Sequence, residues 1–152
     1  LGLCSGRDDV VFGTVLFGRM HGGPGIDRAM GMFINTLPVR IALSGRSAAQ
    51  GLRETHERLT GLLRHEQASL TLAQRCSGLG ANVPMFSALL NYRHSRAETF
   101  GESRIAEGIE FLGGRDLTNY PFCLYVDDLG RDFVLTAEVE RSVDAQRICG
   151  FV

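Results

Sequence analysis

No apolar run in the 152 residues approaches the ~18 that a membrane helix requires, which excludes a helical membrane span as a reading of this sequence. Neither sign of charge is in excess: 16 Lys and Arg stand against 17 Asp and Glu, for a formal charge of −1. Nothing therefore draws the chain toward a polyanion or an anionic membrane surface. The four cysteines, Cys4, Cys76, Cys123 and Cys149, have no short pair spacing. That argues against a zinc knuckle, a redox motif or a small disulfide scaffold, and reduced, mostly buried thiols are expected. The start, LGLCSGRDDVVFG, lacks a basic segment followed by an apolar stretch and a cleavage site, so no secretory signal is visible and a cytoplasmic location is expected. Internal repeats, charge runs and low-complexity linkers are also missing.

What is present is ordinary for a globular chain: 44% hydrophobic and 22% charged residues, enough length for one domain with a core. Leu1 to Gly6 reads as the last turn of a helix stopped by Ser-Gly. Asp9 to Phe17 is a near-continuous apolar run expected of a strand buried on both faces. A short helical turn around Ile26 to Met30 precedes an extended Phe33 to Leu43, with Pro38 marking an edge or a kink. Ser47 and Gln50 have the form of a capping box, opening a helix to about His65 with Leu52, Leu59 and Leu63 on one face. A shorter helix from about Ser69 to Cys76 is expected to bury Leu72, Ala73 and Cys76. Phe86 to Tyr92 reads as a buried strand, Arg93 to Ser103 as a loop and Gly108 to Leu112 as a short strand. Alternation from Tyr120 to Asp127 and again from Phe133 to Val139 predicts a hairpin, with Gly130 at positive φ in the turn DDLGRD. Asp144 is placed to cap a last helix carrying Ile148 and Phe151. Strands interleaved with helices point to an α/β layer structure, an open mixed sheet of about five strands with packed helices.

The residue types that carry chemistry are sparse. General base catalysis wants a histidine held by a carboxylate. His21 lies in the glycine-rich HGGPG, His56 and His65 on a charged helix, and His94 at a strand end where it could face a cleft. His56 and His65 are nine apart, off the i, i+4 spacing of two ligands on one helix face, so no metal site is expected. HGGPG lacks the Lys-Ser/Thr pair of a phosphate-binding loop, which leaves turn chemistry. Asn35 is sharper. An amide inside FINTLP must satisfy its hydrogen-bonding groups, either on neighbouring backbone or facing a polar channel, and the residues favour the backbone. Arg40, closing the same run, is expected to find a carboxylate or carbonyl partner.

GMFINTLPVR, Gly31 to Arg40, and DVVFG with Phe17-Gly18-Arg19 together resemble the condensation domain of non-ribosomal peptide synthetases. HEQASLTLAQRCSG, FSALLNYRHS and TNYPFCLYVDDLG continue the resemblance in order, so it covers essentially the whole chain. It implies one chloramphenicol-acetyltransferase-like lobe of a two-lobed enzyme, with residues 1–152 the C-terminal lobe, cut within elements at both ends and marginal as an isolated monomer. By the same resemblance Asn35, Phe17 and Gly18 line the substrate tunnel, Phe17 standing where many members carry serine, while Arg19 and Arg40 are structural. VLFGRM and LLNYRHS look most like condensation domains of bacterial lipopeptide synthetases, including ones that also epimerise the donor residue.

The family's catalytic motif, two adjacent histidines followed by Asp-Gly, is not in these residues. The resemblance therefore implies a non-catalytic wall of a tunnel in which an acceptor amine attacks a donor thioester, both tethered to phosphopantetheine arms of carrier domains. No cofactor is expected to bind the chain directly. Implied partners are the N-terminal lobe, peptidyl carrier domains and an adjoining adenylation domain, but neither nucleic acid nor membrane. Two alternatives stay open: an epimerising or ester-forming member of the same superfamily, and a non-catalytic module that docks carrier proteins.

Overall fold

The computed structural model describes residues 1–20, 23–80, 82–94 and 118–151. His21, the expected strand Gly108 to Leu112 and the expected loop beyond His94 lie outside the described residues. The chain divides into two compact units, Leu1–Leu89 and Leu90–Val152.

The first unit opens with a short helix, α1 (Gly2–Ser5), and β1 (Asp9–Leu16), which pairs antiparallel with β2 (Asn35–Ala42). The register runs without a bulge from Leu16 opposite Asn35 to Asp9 opposite Ala42. β2 is an edge strand, and Pro38 lies within it, opposite Gly13. The Thr36 N–H turns to the Asn35 side chain instead of to β1, and the backbone two residues on has the same outward aspect. Proline's missing donor therefore costs no ladder bond at that position. Period-two alternation puts Leu37 and Val39 in the core and exposes Arg40 on the other face.

The core of this unit is Thr14, Leu16, Leu37, Val39, Phe86, Ala88 and Leu89. Burial of β1 on both faces is met only toward its end: Gly13, Thr14 and Leu16 are buried, whereas Val11 is exposed and so is Phe17 just beyond. The open end is where the charged side chains of Asp9 and Arg40 meet. A 3-10 turn at Ile26–Arg28 takes the place of the helical turn expected to Met30.

α2 (Ala48–Leu63) starts as the capping box dictates: the Ser47 hydroxyl accepts from the Gln50 N–H, and the Gln50 side chain accepts from the Ser47 N–H. It stops two residues before the expected His65. None of its residues is buried, and Leu52 on the apolar stripe is largely exposed. α3 (Leu70–Cys76), capped by Ser69, also buries nothing: Leu72 and Cys76 are exposed and Ala73 is half-buried. Both helices lie beside β2. Seven residues make only two turns, so contact with one strand covers too little of α3 to bury the expected face.

β3 (Ala88–His94) begins two residues after the expected Phe86 and runs through Tyr92 to His94. In the second unit its later part is followed by β4 (Phe122–Asp128) and β5 (Phe133–Val139), antiparallel and joined by a turn with Gly130 at φ 84°. β4 alternates as expected, and its buried side is the more polar one, Cys123, Tyr125 and Asp127. Asp144 caps α4 (Ala145–Cys149), accepting from the N–H groups of Gln146 and Arg147. The sheet has five strands, the number expected, and Gly108 to Leu112 is not among those described. Of the thiols, Cys123 is buried, Cys149 is half-buried and Cys76 is exposed, so the expectation of mostly buried cysteines fails at Cys76.

Candidate functional site

The register of the first unit decides which motif residues meet. Because Leu16 pairs with Asn35, the Phe17-Gly18-Arg19 segment leaving β1 lies beside the Phe33-Ile34 segment entering β2. The approach is close. Gly18 has φ 69°, and a Cβ added there would fall 1.9 Å from the Phe33 carbonyl oxygen, so both backbone angle and space demand glycine. Arg19 folds back over the same residue: its guanidinium lies 4.7 Å from the Phe33 ring centroid while Nη1 donates to the Ile26 carbonyl at 3.0 Å.

Asn35 faces the turn between α2 and α3. Its Nδ2 donates to the Glu66 carbonyl at 2.8 Å and to the Ala68 carbonyl at 2.7 Å, and its Oδ1 accepts from the Thr36 N–H at 2.9 Å. Both amide hydrogens are committed to backbone. Within the turn, the Glu66 N–H donates to Leu63 and the Ala68 N–H to His65, and the Glu66 residue is buried. From the same turn Gln67 reaches across to Gly18, its Nε2 donating to that carbonyl at 2.5 Å. Three separated segments, 17–19, 33–36 and 66–68, are thus tied into one knot by side-chain-to-backbone bonds. Around it Phe17, Met20, Met30, Met32 and Ile34 present exposed apolar surface.

Of the expected tunnel and structural residues, Phe17, Gly18, Arg19 and Asn35 are brought together here and Arg40 is not. Arg40 lies five residues along β2, about 17 Å away at strand spacing and on the opposite face. Its Nε donates to Asp9 Oδ1 at 3.0 Å and Oδ2 at 2.8 Å, with Nη2 also on Oδ2. That hydrogen bond holds the Asp9 carboxyl below its usual range and raises Arg40. Both side chains are exposed, so the buried ion pair that a run-closing arginine suggests is a surface pair here. Arg58 adds a bond from Nη1 to the Arg40 carbonyl at 2.8 Å.

Among the described residues the histidines assemble no nucleophile and base. His65 Nδ1 lies 3.0 Å from the Gly61 carbonyl, a bond within its own chain turn. His94 Nδ1 lies 3.1 Å from Asp128 Oδ2, on an exposed strand end where Tyr92 Oη also donates to that oxygen. The Tyr92 bond, then the Gly130 N–H and His94, lower the Asp128 carboxyl. Beneath them, the Arg93 guanidinium makes two bonds to Asp127, at 2.7 and 2.8 Å, and lies 5.0 Å from the Tyr125 ring centroid. Tyr125 Oη donates to Glu138 Oε2 at 3.1 Å, and burial raises the Tyr125 phenol and the Cys123 thiol. These bonds account for the polar side of β4 being the buried one. Among the described residues no group of three or more His, Cys, Asp and Glu side chains is placed to hold a metal ion.

Gln67 escaped the sequence reading. It lies within HEQASLTLAQRCSG, but a single turn glutamine carries no periodicity from which a contact 49 residues away could be read.

Comparison with known proteins supplies the frame for this knot. Residues 1–143 match the family model of the condensation domain. Malpinin synthetase of Mortierella alpina is 51% identical over 148 residues, covering 97% of this chain and 2% of that protein. Vanchrobactin synthetase of Vibrio anguillarum is 33% identical over 129 residues, covering 80% of this chain and 4% of that protein. The chain therefore spans only a few hundredths of the length of the curated relatives it matches. Among solved structures, the condensation domain from the monacolin K polyketide synthase MokA superposes with a TM-score of 0.71 at 21% identity, over 99% of this chain and 36% of that one. The first condensation domain of the calcium-dependent antibiotic synthetase gives 0.63 at 20% identity, over 97% and 33%. With the sequence match running through every motif of the knot, this chain belongs to the condensation domain family.

Proposed function

We propose that these residues form the C-terminal lobe of a condensation domain in a non-ribosomal peptide synthetase, and that the knot around Gly18, Asn35 and Gln67 is part of its substrate channel wall. The reaction joins an acceptor α-amine to a donor acyl thioester. The amine nitrogen attacks the thioester carbonyl, a C–N bond forms, the C–S bond breaks, the thiol leaves on its phosphopantetheine arm and the amine loses a proton. The four histidines of this chain are single and well separated, so the base is assigned to residues outside it.

What this chain contributes is position. Phe17 and Ile34 give the wall an apolar face, and Asn35 sets that face through the turn it holds rather than through a free donor. Orientation of two tethered reactants is itself worth orders of magnitude in rate. The observation that carries the reading is the family match through residues 1–143, which includes all three segments of the knot.

The N-terminal lobe, carrier domains and an adenylation domain are the partners proposed with this role, and a cytoplasmic location goes with it. Among the described residues no helix is long and apolar enough to cross a membrane. The bacterial lipopeptide kinship expected from VLFGRM and LLNYRHS is not what the identities favour, since malpinin synthetase of Mortierella is at 51% and the Vibrio synthetase at 33%. The test is a single-turnover assay on the full-length protein with donor and acceptor carriers loaded. Amide product on the acceptor carrier supports the proposal, and ester product or donor epimerisation without transfer refutes it.

A further inference from the structure

We propose that Gln67 is a positioning residue that sets the Phe17–Arg19 segment, and through it the width of the channel wall. The significance for channel width rests on the function proposed above. The bond itself does not.

The Gly18 carbonyl accepts from Gln67 Nε2 at 2.5 Å, and a glycine at φ 69° has no side chain of its own to fix its orientation. Gly18 must also stay against the Phe33 carbonyl, which leaves no room for a Cβ. The Gln67 donor, whose Nε2 would itself lie 3.1 Å from a Cβ at Gly18, is therefore what selects one orientation of that glycine's peptide. Gln67 can supply it only because its own turn is fixed, and Asn35 fixes it by bonding the carbonyls on either side, Glu66 and Ala68. The next residue, Arg19, is then held by the Ile26 carbonyl and the Phe33 ring. The chain of dependence runs from Asn35 through Gln67 to Gly18 and so to the exposed Phe17 ring.

Gln67→Glu keeps size and shape but puts a carboxylate oxygen against a carbonyl, removing the donor. Gln67→Lys restores a donor on a flexible stem. In the full-length protein three readouts are taken: the melting temperature, the rate of trypsin cleavage after Arg19, and the single-turnover condensation rate with a small and a bulky acceptor. The expected result for Gln67→Glu is faster cleavage at Arg19 and a roughly tenfold to hundredfold slower condensation, with the ratio between the two acceptors altered. Gln67→Lys should recover most of both. Unchanged cleavage and unchanged acceptor ratio would overturn the proposal, as would a rate that falls only with the folded fraction while cleavage at all sites rises alike. If the wild type forms no amide yet Gln67→Glu still opens Arg19 to trypsin, the positioning role stands and the proposed function falls.

Discussion

Replacing Asn35 separates a residue that holds a turn from one that offers a free polar group. Three bonds are lost in Asn35→Ala, two from Nδ2 and one to Oδ1. At ~0.5–1.5 kcal/mol net for each, the three together come to about 1.5–4.5 kcal/mol. Asn35 is only half-buried, and water can take over part of the bonding, which brings the expectation to about 2 kcal/mol. Native-state hydrogen exchange reads this directly at the Glu66 and Ala68 amides, whose bonds close the turn. About 2 kcal/mol corresponds to roughly thirtyfold faster exchange there. Asn35→Asp sharpens the test. The carboxylate keeps an acceptor for Thr36 but turns an oxygen toward two carbonyl oxygens, so at neutral pH its turn amides should exchange faster than those of the Ala variant. At acid pH the protonated carboxyl of that variant regains one donor, and the difference should shrink. Exchange in Asn35→Asp equal to wild type would refute the reasoning, because it would mean that the two carbonyl contacts do not hold the turn.

Gly18→Ala should be the most damaging single methyl in the first unit, since it combines a positive φ with a 1.9 Å approach to the Phe33 carbonyl; urea denaturation should show a loss of at least ~1–3 kcal/mol. Arg40→Ala removes an exposed pair with Asp9, so the shift in melting temperature should be small and should fade as salt is raised; a large, salt-independent loss would contradict the surface assignment. Because Asp9 is depressed in the folded state, the pair's contribution is present above the ordinary carboxyl value of 3.8 and lost as pH falls below it, which a melting series from pH 6 to about 2 with and without Arg40 would reveal. Ser47→Ala removes the hydroxyl half of the capping box and should cost about 1 kcal/mol, measured as faster exchange in the first turn of α2.

The parts of the fold that could be read in advance are those governed by local chemistry. The Ser47 capping box, the Asp144 cap and the Gly130 turn each depend on a few adjacent residues, and each stands where the sequence puts it. Pro38 could be placed at an edge for the same reason. Burial was harder. Alternation in β4 separates Cys123, Tyr125 and Asp127 from Phe122, Leu124 and Val126, but apolar content alone favours the wrong set for the interior. What reverses it is a partner 34 residues away, Arg93, whose two bonds satisfy Asp127. The stripe on α2 and the face of α3 were legible as patterns, yet pattern does not say how much another element will cover. At the site, Asn35 could be singled out because an amide inside an apolar run must be satisfied. Its partners could not, being backbone carbonyls that look alike at every position, and Gln67 left no local mark at all.

Whether this chain works as part of an amide-forming condensation domain is read most directly by intact-mass analysis of the carriers after one turnover of the full-length protein. If it does, donor acyl mass leaves the donor carrier and appears on the acceptor carrier, and hydroxylamine, which cleaves the thioester to the phosphopantetheine arm, releases donor and acceptor acyl groups still joined by an amide as one hydroxamate. Donor mass that stays on its own carrier, with an acceptor carrier that gains nothing, would contradict it.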